Sequence, residues 1–162
     1  MHKMNYFLVI LLTFFSCNTE TPTQFSQEAL DDSFTNFQGK SIQFKDILNK
    51  HKGQTILIDV WASWCRDCIK GMPKVKEIQK EYPDVVYMFL SLDKNLESWK
   101  KGIDKHQIKG KHYYMQSGWK GSFGSFLDLD WIPRYLVVDK QGNIKLYKAT
   151  KATDKNIIKS LR

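Results

Sequence analysis

The segment Trp61-Ala62-Ser63-Trp64-Cys65-Arg66-Asp67-Cys68 holds the residue types best suited to chemistry in this chain. Two cysteines three positions apart can close a disulfide when they lie in the first turn of a helix. There the free backbone N–H groups and the positive end of the helix dipole stabilise a thiolate on the first sulfur. That makes Cys65 the attacking sulfur and Cys68 the shielded thiol that resolves a mixed disulfide. The context is what turns the spacing into a redox signal, because an apolar strand-like run leads into the pair and a helical pattern follows it.

Other uses of the same residues give different expectations. Zinc would need two further Cys or His ligands, and His51, His106 and His112 stand in no compact ligand spacing with the pair, so no metal site is expected. A copper-binding chaperone would use Cys65 and Cys68 as soft ligands with a histidine, yet no Met-rich or His-rich segment accompanies them. A dithiol oxidase or isomerase would use the pair at a different reduction potential. A permanently closed bridge across so short a loop would remove little chain entropy. The reading followed is a dithiol enzyme with no cofactor beyond the redox-active Cys65-Cys68 disulfide.

The pair needs elements to position it. Thr55 to Trp61 is a short apolar run bounded by Gly53 and Ala62-Ser63, as a central buried strand requires. A helix is expected from Cys65 to Tyr82, with Ile69, Met72, Val75 and Ile78 near helical spacing and Pro73 as a kink. Val85 to Leu92 reads as a second buried strand and Leu96 to His106 as a second helix, completing β-α-β. No element is assigned to His112–Met115. A short helix follows around Ser122–Leu127, then a strand over Tyr135–Val138, a turn at Gln141-Gly142 and a partner strand over Ile144–Tyr147. Asp154 or Thr153 caps a last helix. Before all of these, Phe34 to Phe44 alternates around Gly39-Lys40 as a short hairpin, followed by a helical turn or two over Lys45–His51.

The chain has 162 residues, 42% of them hydrophobic and 14% aromatic, enough for one packed domain and too apolar for a disordered chain. It opens Met1-His2-Lys3 and runs through the apolar stretch Tyr6–Phe15 to Ser16-Cys17, the layout of a secretory signal. The apolar stretch is short for a bilayer-spanning helix. Ser16-Cys17 resembles the lipobox of bacterial lipoproteins, which implies lipidation of Cys17, although Phe14 and Phe15 depart from the usual pattern. Residues 1–17 are thus expected to be a lipoprotein signal segment, 18–33 a polar tether, and 34–162 the folded domain. Setting Cys17 aside leaves one thiol pair and no odd cysteine in an oxidising envelope. The net charge of +8 comes from lysines spread over helices and loops, without a nucleic-acid motif, so no nucleic-acid partner is expected.

Asp59, Trp61, Trp64, Cys65, Cys68, Pro73 and Ile132-Pro133 together resemble the thioredoxin superfamily, and the anchored setting resembles its TlpA/ResA-like branch. The resemblance covers Phe34 to Leu161. It implies an α/β thioredoxin-like fold: a central mixed sheet flanked by helices, with an N-terminal β-hairpin and a βα insertion. It also implies that Asp59 is the buried acid that takes the proton of the second thiol, with a pKa raised by desolvation. Pro133 would be cis and face the disulfide, Ile132 would offer its backbone to substrate, and Trp64 would flank the reactive sulfur. Arg66-Asp67 replaces the Gly-Pro of reducing thioredoxins, and its opposite charges pull the tuning of Cys65 in opposite directions. Gly71 stands where the branch often carries Glu, leaving Asp59 to act alone. The partners implied are disulfide-containing envelope proteins and a membrane thiol reductant as electron donor, and the maturation of c-type cytochromes is one family task.

Overall fold

The computed structural model describes residues 21–162. The signal segment expected over 1–17, with Cys17, and the first residues of the tether lie outside the described residues.

Seven strands form one mixed sheet in the order β2-β1-β5-β4-β3-β6-β7. The chain enters through α1 (Gln27–Asp31), a hairpin of β1 (Ser33–Asn36) and β2 (Ser41–Gln43), and α2 (Phe44–Asn49). It then runs through β3 (Ile56–Trp61), α3 (Arg66–Glu81), β4 (Val86–Ser91) and α4 (Leu96–His106). A βα pair, β5 (Lys111–Tyr114) and α5 (Ser122–Phe126), precedes β6 (Arg134–Val138), β7 (Ile144–Ala149) and α6 (Lys155–Leu161). The expected thioredoxin-like architecture is the observed one, with its hairpin and insertion in place.

Every residue of β3, β4 and β6 is buried. That is why each reads as a continuous apolar run, since strands covered on both faces have no polar alternation to show. β3 lies at the centre, parallel to β4 and antiparallel to β6. Fully burying each Ile, Leu or Val of these strands contributes roughly 1.5–3 kcal/mol, so the centre of the sheet is its most resistant part.

Two expectations change. The tether assigned to 18–33 ends early, because the segment from Thr23 belongs to the domain. The Thr23 carbonyl accepts from Ile144 N–H at 2.7 Å, Ser26 Oγ caps α1 by accepting from Ala29 N–H at 3.2 Å, and Phe25 and Ala29 are buried. The Phe25 ring packs against Phe44, Phe123 and Phe126 with centroids 4.9, 6.1 and 5.4 Å away. A single anchoring aromatic in a polar segment produces no periodicity. Residues 111–114, which carried no assigned element, form β5, parallel to β4 and antiparallel to β1. The strand is short and only partly buried, so its own residues say little about its neighbours.

α3 runs through Pro73 as one helix with Pro73 on its exposed side. Its buried residues Cys68, Met72, Val75 and Ile78 fall on a single stripe.

Candidate active site

Cys65 is the N-cap of α3. Its backbone is extended (φ −78°, ψ 103°) and its Sγ accepts the Cys68 N–H at 3.1 Å. The first-turn N–H groups of a helix have no partner within it, so the sulfur sits at a concentration of positive partial charge. Cys65 and Cys68 form a disulfide with an S–S distance of 2.04 Å and a Cα–Cα distance of 5.3 Å. The two residues are not equivalent: Cys65 keeps 5% of its surface and Cys68 none. Whatever reaches this bond reaches it from the Cys65 side.

The loop entering the helix is held from below. Asp93, buried just past the end of β4, accepts Ser63 N–H at 3.1 Å and the Ser63 and Ser91 hydroxyls at 2.5 and 2.8 Å. α4 presses on the same loop through Gly102, where an added Cβ would lie 2.4 Å from Ser63 Cβ and 3.3 Å from the Trp61 ring. Glycine inside a helix lowers its intrinsic stability, and here it admits this close approach.

The far wall comes from the segment before β6. The Ile132-Pro133 peptide bond is cis, and the Ile132 carbonyl oxygen lies 3.6 Å from Cys65 Sγ. Arg134 is buried beneath it and donates to the Leu127 carbonyl at 2.9 Å and to Asp130 Oδ1 at 2.8 Å, pinning the turn that carries Trp131. Trp64, which directly precedes Cys65, is 54% exposed, and Trp131, which directly precedes Ile132, is 59% exposed. A cleft of about 640 Å³ continues from there, lined by Asp67, Lys70, Lys74, Trp131, Pro133 and Lys151 among others. A somewhat larger cleft, about 760 Å³, lies between the far ends of α3 and α4 and includes none of these site residues.

Asp59 sits within β3, and only 1% of it is exposed. Neither carboxylate oxygen has a hydrogen-bond partner, and burial pushes its pKa well above the usual carboxylate range. The structure therefore brings Cys65, Cys68 and Ile132 together, with Trp64 and Pro133 beside them in the chain and Asp59 buried in β3. Arg66 and Asp67 are exposed at the start of α3. The histidines lie elsewhere: His112 stacks on Phe89, ring centroids 5.3 Å apart, and its Nε2 lies 3.0 Å from the Ile108 carbonyl. Among the described residues no cluster of three His, Cys, Asp or Glu side chains forms a metal-binding group.

Sequence reasoning missed Trp131, Arg134, Asp93 and Gly102. Trp131 stood directly before Ile132-Pro133 and its position was a usable signal. Arg134 and Asp93 had none, since a buried charge is recognised only by the partners the fold brings to it.

A thioredoxin-like family model matches residues 53–144, more than half the chain. The thiol-disulfide oxidoreductase ResA of Bacillus thuringiensis (strain Al Hakam) is 26% identical over 133 residues, covering 75% of this chain and 67% of that protein. The thioredoxin-like protein YneN of Bacillus subtilis is 30% identical over 93 residues, 55% of this chain and 52% of its own. Among solved structures, a Bacteroides vulgatus protein assigned as a thiol-disulfide oxidoreductase superposes with a TM-score of 0.68 at 30% identity, covering 84% of this chain and 87% of that one. A helix-capping cysteine beside a cis-proline, on this sheet and with these relatives, places the chain in the thioredoxin-like family, among the TlpA/ResA-like thiol-disulfide oxidoreductases.

Proposed function

We propose that the protein reduces disulfides of bacterial envelope proteins, with Cys65 as nucleophile, Cys68 as resolving thiol and Asp59 as base. The observation that carries the reading is the asymmetry of the pair: Cys65 retains surface at a helix N-terminus, while Cys68 is fully buried. In the reduced protein the Cys65 thiolate attacks a substrate disulfide, forming the Cys65–substrate bond and releasing the first substrate sulfur as a thiolate. Cys68 passes its proton to Asp59 and attacks the Cys65 sulfur. The Cys65–Cys68 bond forms, the bond to substrate breaks, and the second substrate sulfur leaves with the electron pair. The substrate gains two electrons and the protein disulfide is left for a membrane thiol reductant to reopen. The neighbouring backbone at Ile132 and the rings of Trp64 and Trp131 hold the substrate segment, and Arg66 and Asp67 tune the potential.

Replacing Cys68 with Ser stops the second step. Non-reducing electrophoresis of cells carrying this variant should reveal Cys65-linked mixed disulfides that vanish with dithiothreitol and with an added Cys65→Ser change. If neither variant alters the pattern, the reductase reading fails.

The signal-like segment and Ser16-Cys17 support an envelope-facing lipoprotein anchored through Cys17. No helix among the described residues is long and apolar enough to cross a membrane. Cells fed radiolabelled palmitate should label the full chain, and Cys17→Ser should abolish the label; equal labelling of both would remove the anchor from this account.

A further inference from the structure

Beneath α3 the sheet holds two polar side chains that no protein atom satisfies. Asp59 and Tyr135 are direct partners across β3 and β6. Side chains so placed leave the same face of the sheet with Cβ atoms about 5 Å apart. Tyr135 is fully buried, and its hydroxyl, like both carboxylate oxygens of Asp59, lacks a hydrogen bond. Native interiors leave few such groups unpaired, and two on adjacent strands are suited to satisfy each other.

Gly71 accounts for the room the hydroxyl has. It lies one helical turn beyond Cys68 on α3, and a Cβ added there would be 3.0 Å from the Tyr135 hydroxyl and 3.5 Å from Ala152 Cβ. The phenol thus reaches from β6 to the helix that carries Cys68, on the face that Asp59 shares.

We propose that Tyr135 is a positioning residue for Asp59, its hydroxyl donating to the carboxylate directly or through one bridging water and favouring the ionised form that accepts the Cys68 proton. The inference rests on Asp59 being the base. A hydrogen bond to the charged form of an acid opposes the effect of desolvation, so the pair brings a deeply buried carboxyl back toward useful ionisation. The phenol remains a donor throughout, because burial and the Asp59 charge both push its own pKa up.

The surroundings leave few competitors. α3 contributes Cys68, and its charged residues Arg66, Asp67, Lys70 and Lys74 lie on the outer side of the helix. β4 places Phe89 beside Asp59, with apolar Met88 and Leu90 on either side. On β6, Arg134 is engaged with Leu127 and Asp130, and the other group that a Gly71 Cβ would meet is the apolar Ala152.

Two measurements on the whole chain test this. In the oxidised protein, where neither site thiol titrates, carboxyl carbon NMR follows Asp59 with pH. Tyr135→Phe should raise its midpoint by about one pH unit, a tenfold change in the ionised fraction at a given pH. Gly71→Ala, which crowds the hydroxyl and leaves both residues in place, should shift the midpoint in the same direction and serves if Tyr135→Phe does not fold. In the reduced protein, reaction with an aromatic disulfide such as 5,5′-dithiobis(2-nitrobenzoate) releases two thiolates, the first from attack by Cys65 and the second from resolution by Cys68. Tyr135→Phe should leave the first release unchanged, slow the second about tenfold at neutral pH and add nothing to Asp59→Asn. An Asp59 midpoint that stays put in both Tyr135→Phe and Gly71→Ala overturns the inference while leaving Asp59 as base. A second release from Asp59→Asn as fast as that of the unaltered protein overturns the base, and this inference with it.

Discussion

Trp64 precedes Cys65, Trp131 precedes the Ile132 whose carbonyl lies 3.6 Å from the Cys65 sulfur, and each is more than half exposed. An indole so placed has little packing to do within its own chain, and its large apolar surface becomes available to whatever approaches the sulfur. Trp131→Ala should therefore raise KM for a protein disulfide about tenfold, the effect of losing one aromatic contact worth a little over 1 kcal/mol. The rate with a small aromatic disulfide, too small to span both rings, should stay near that of the unaltered protein. Steady-state kinetics with the two substrates checks this, and equal losses on both would place Trp131 in the scaffold instead.

At the scale of elements, the site is a junction held from three sides. α3 supplies the cap, the segment before β6 supplies the Ile132 carbonyl, and α4 bears on the entry loop at Gly102. The last contact is tight enough to test. Gly102→Ala gains helix propensity but drives a Cβ to within 2.4 Å of Ser63 Cβ. Overpacking of this kind costs about 1–3 kcal/mol, which exceeds the gain of about 1 kcal/mol from replacing glycine inside a helix. Chemical denaturation should show net destabilisation, and the entry loop, tied to Asp93 through Ser63, should show faster amide exchange. A more stable Gly102→Ala protein would mean that the loop yields freely.

On the scale of the whole molecule, Asp59 is the one carboxyl in the buried strands β3, β4 and β6, and it couples stability to pH. Its folded pKa is raised by burial above its ordinary value near 3.8. The stability it allows is complete below that ordinary value and is lost as pH rises through the folded pKa. Each pH unit of the window crossed costs about 1.4 kcal/mol. Asp59→Asn should match the unaltered oxidised protein near pH 3 and exceed it in stability at neutral pH, with the gap opening above about pH 4. Urea unfolding at a series of pH values measures this, and parallel curves would show that folding leaves the pKa of Asp59 unchanged. A group that weakens the fold in the pH range where it ionises is one whose retention is better explained by chemistry than by structure.

Much of this was legible along the chain because it is local. The CxxC pair at a helix entry, the three buried apolar runs, the second helix and the final hairpin depend on neighbours a few residues apart, where periodicity and capping operate. The cis-proline and the buried acid came from resemblance carried by motif, not from spacing. Only the tertiary structure decided that Phe25 draws the presumed tether into the core, that residues 111–114 become a strand between β1 and β4, and that Asp93 and Arg134 hold the walls of the site. It alone set Tyr135 opposite Asp59 and Gly71 over the phenol. Apart from those of Arg134, whose partners Leu127 and Asp130 are near it in the chain, these pairings join distant residues, and their energies exist only once strand order and register bring the groups together, so no local pattern announces them.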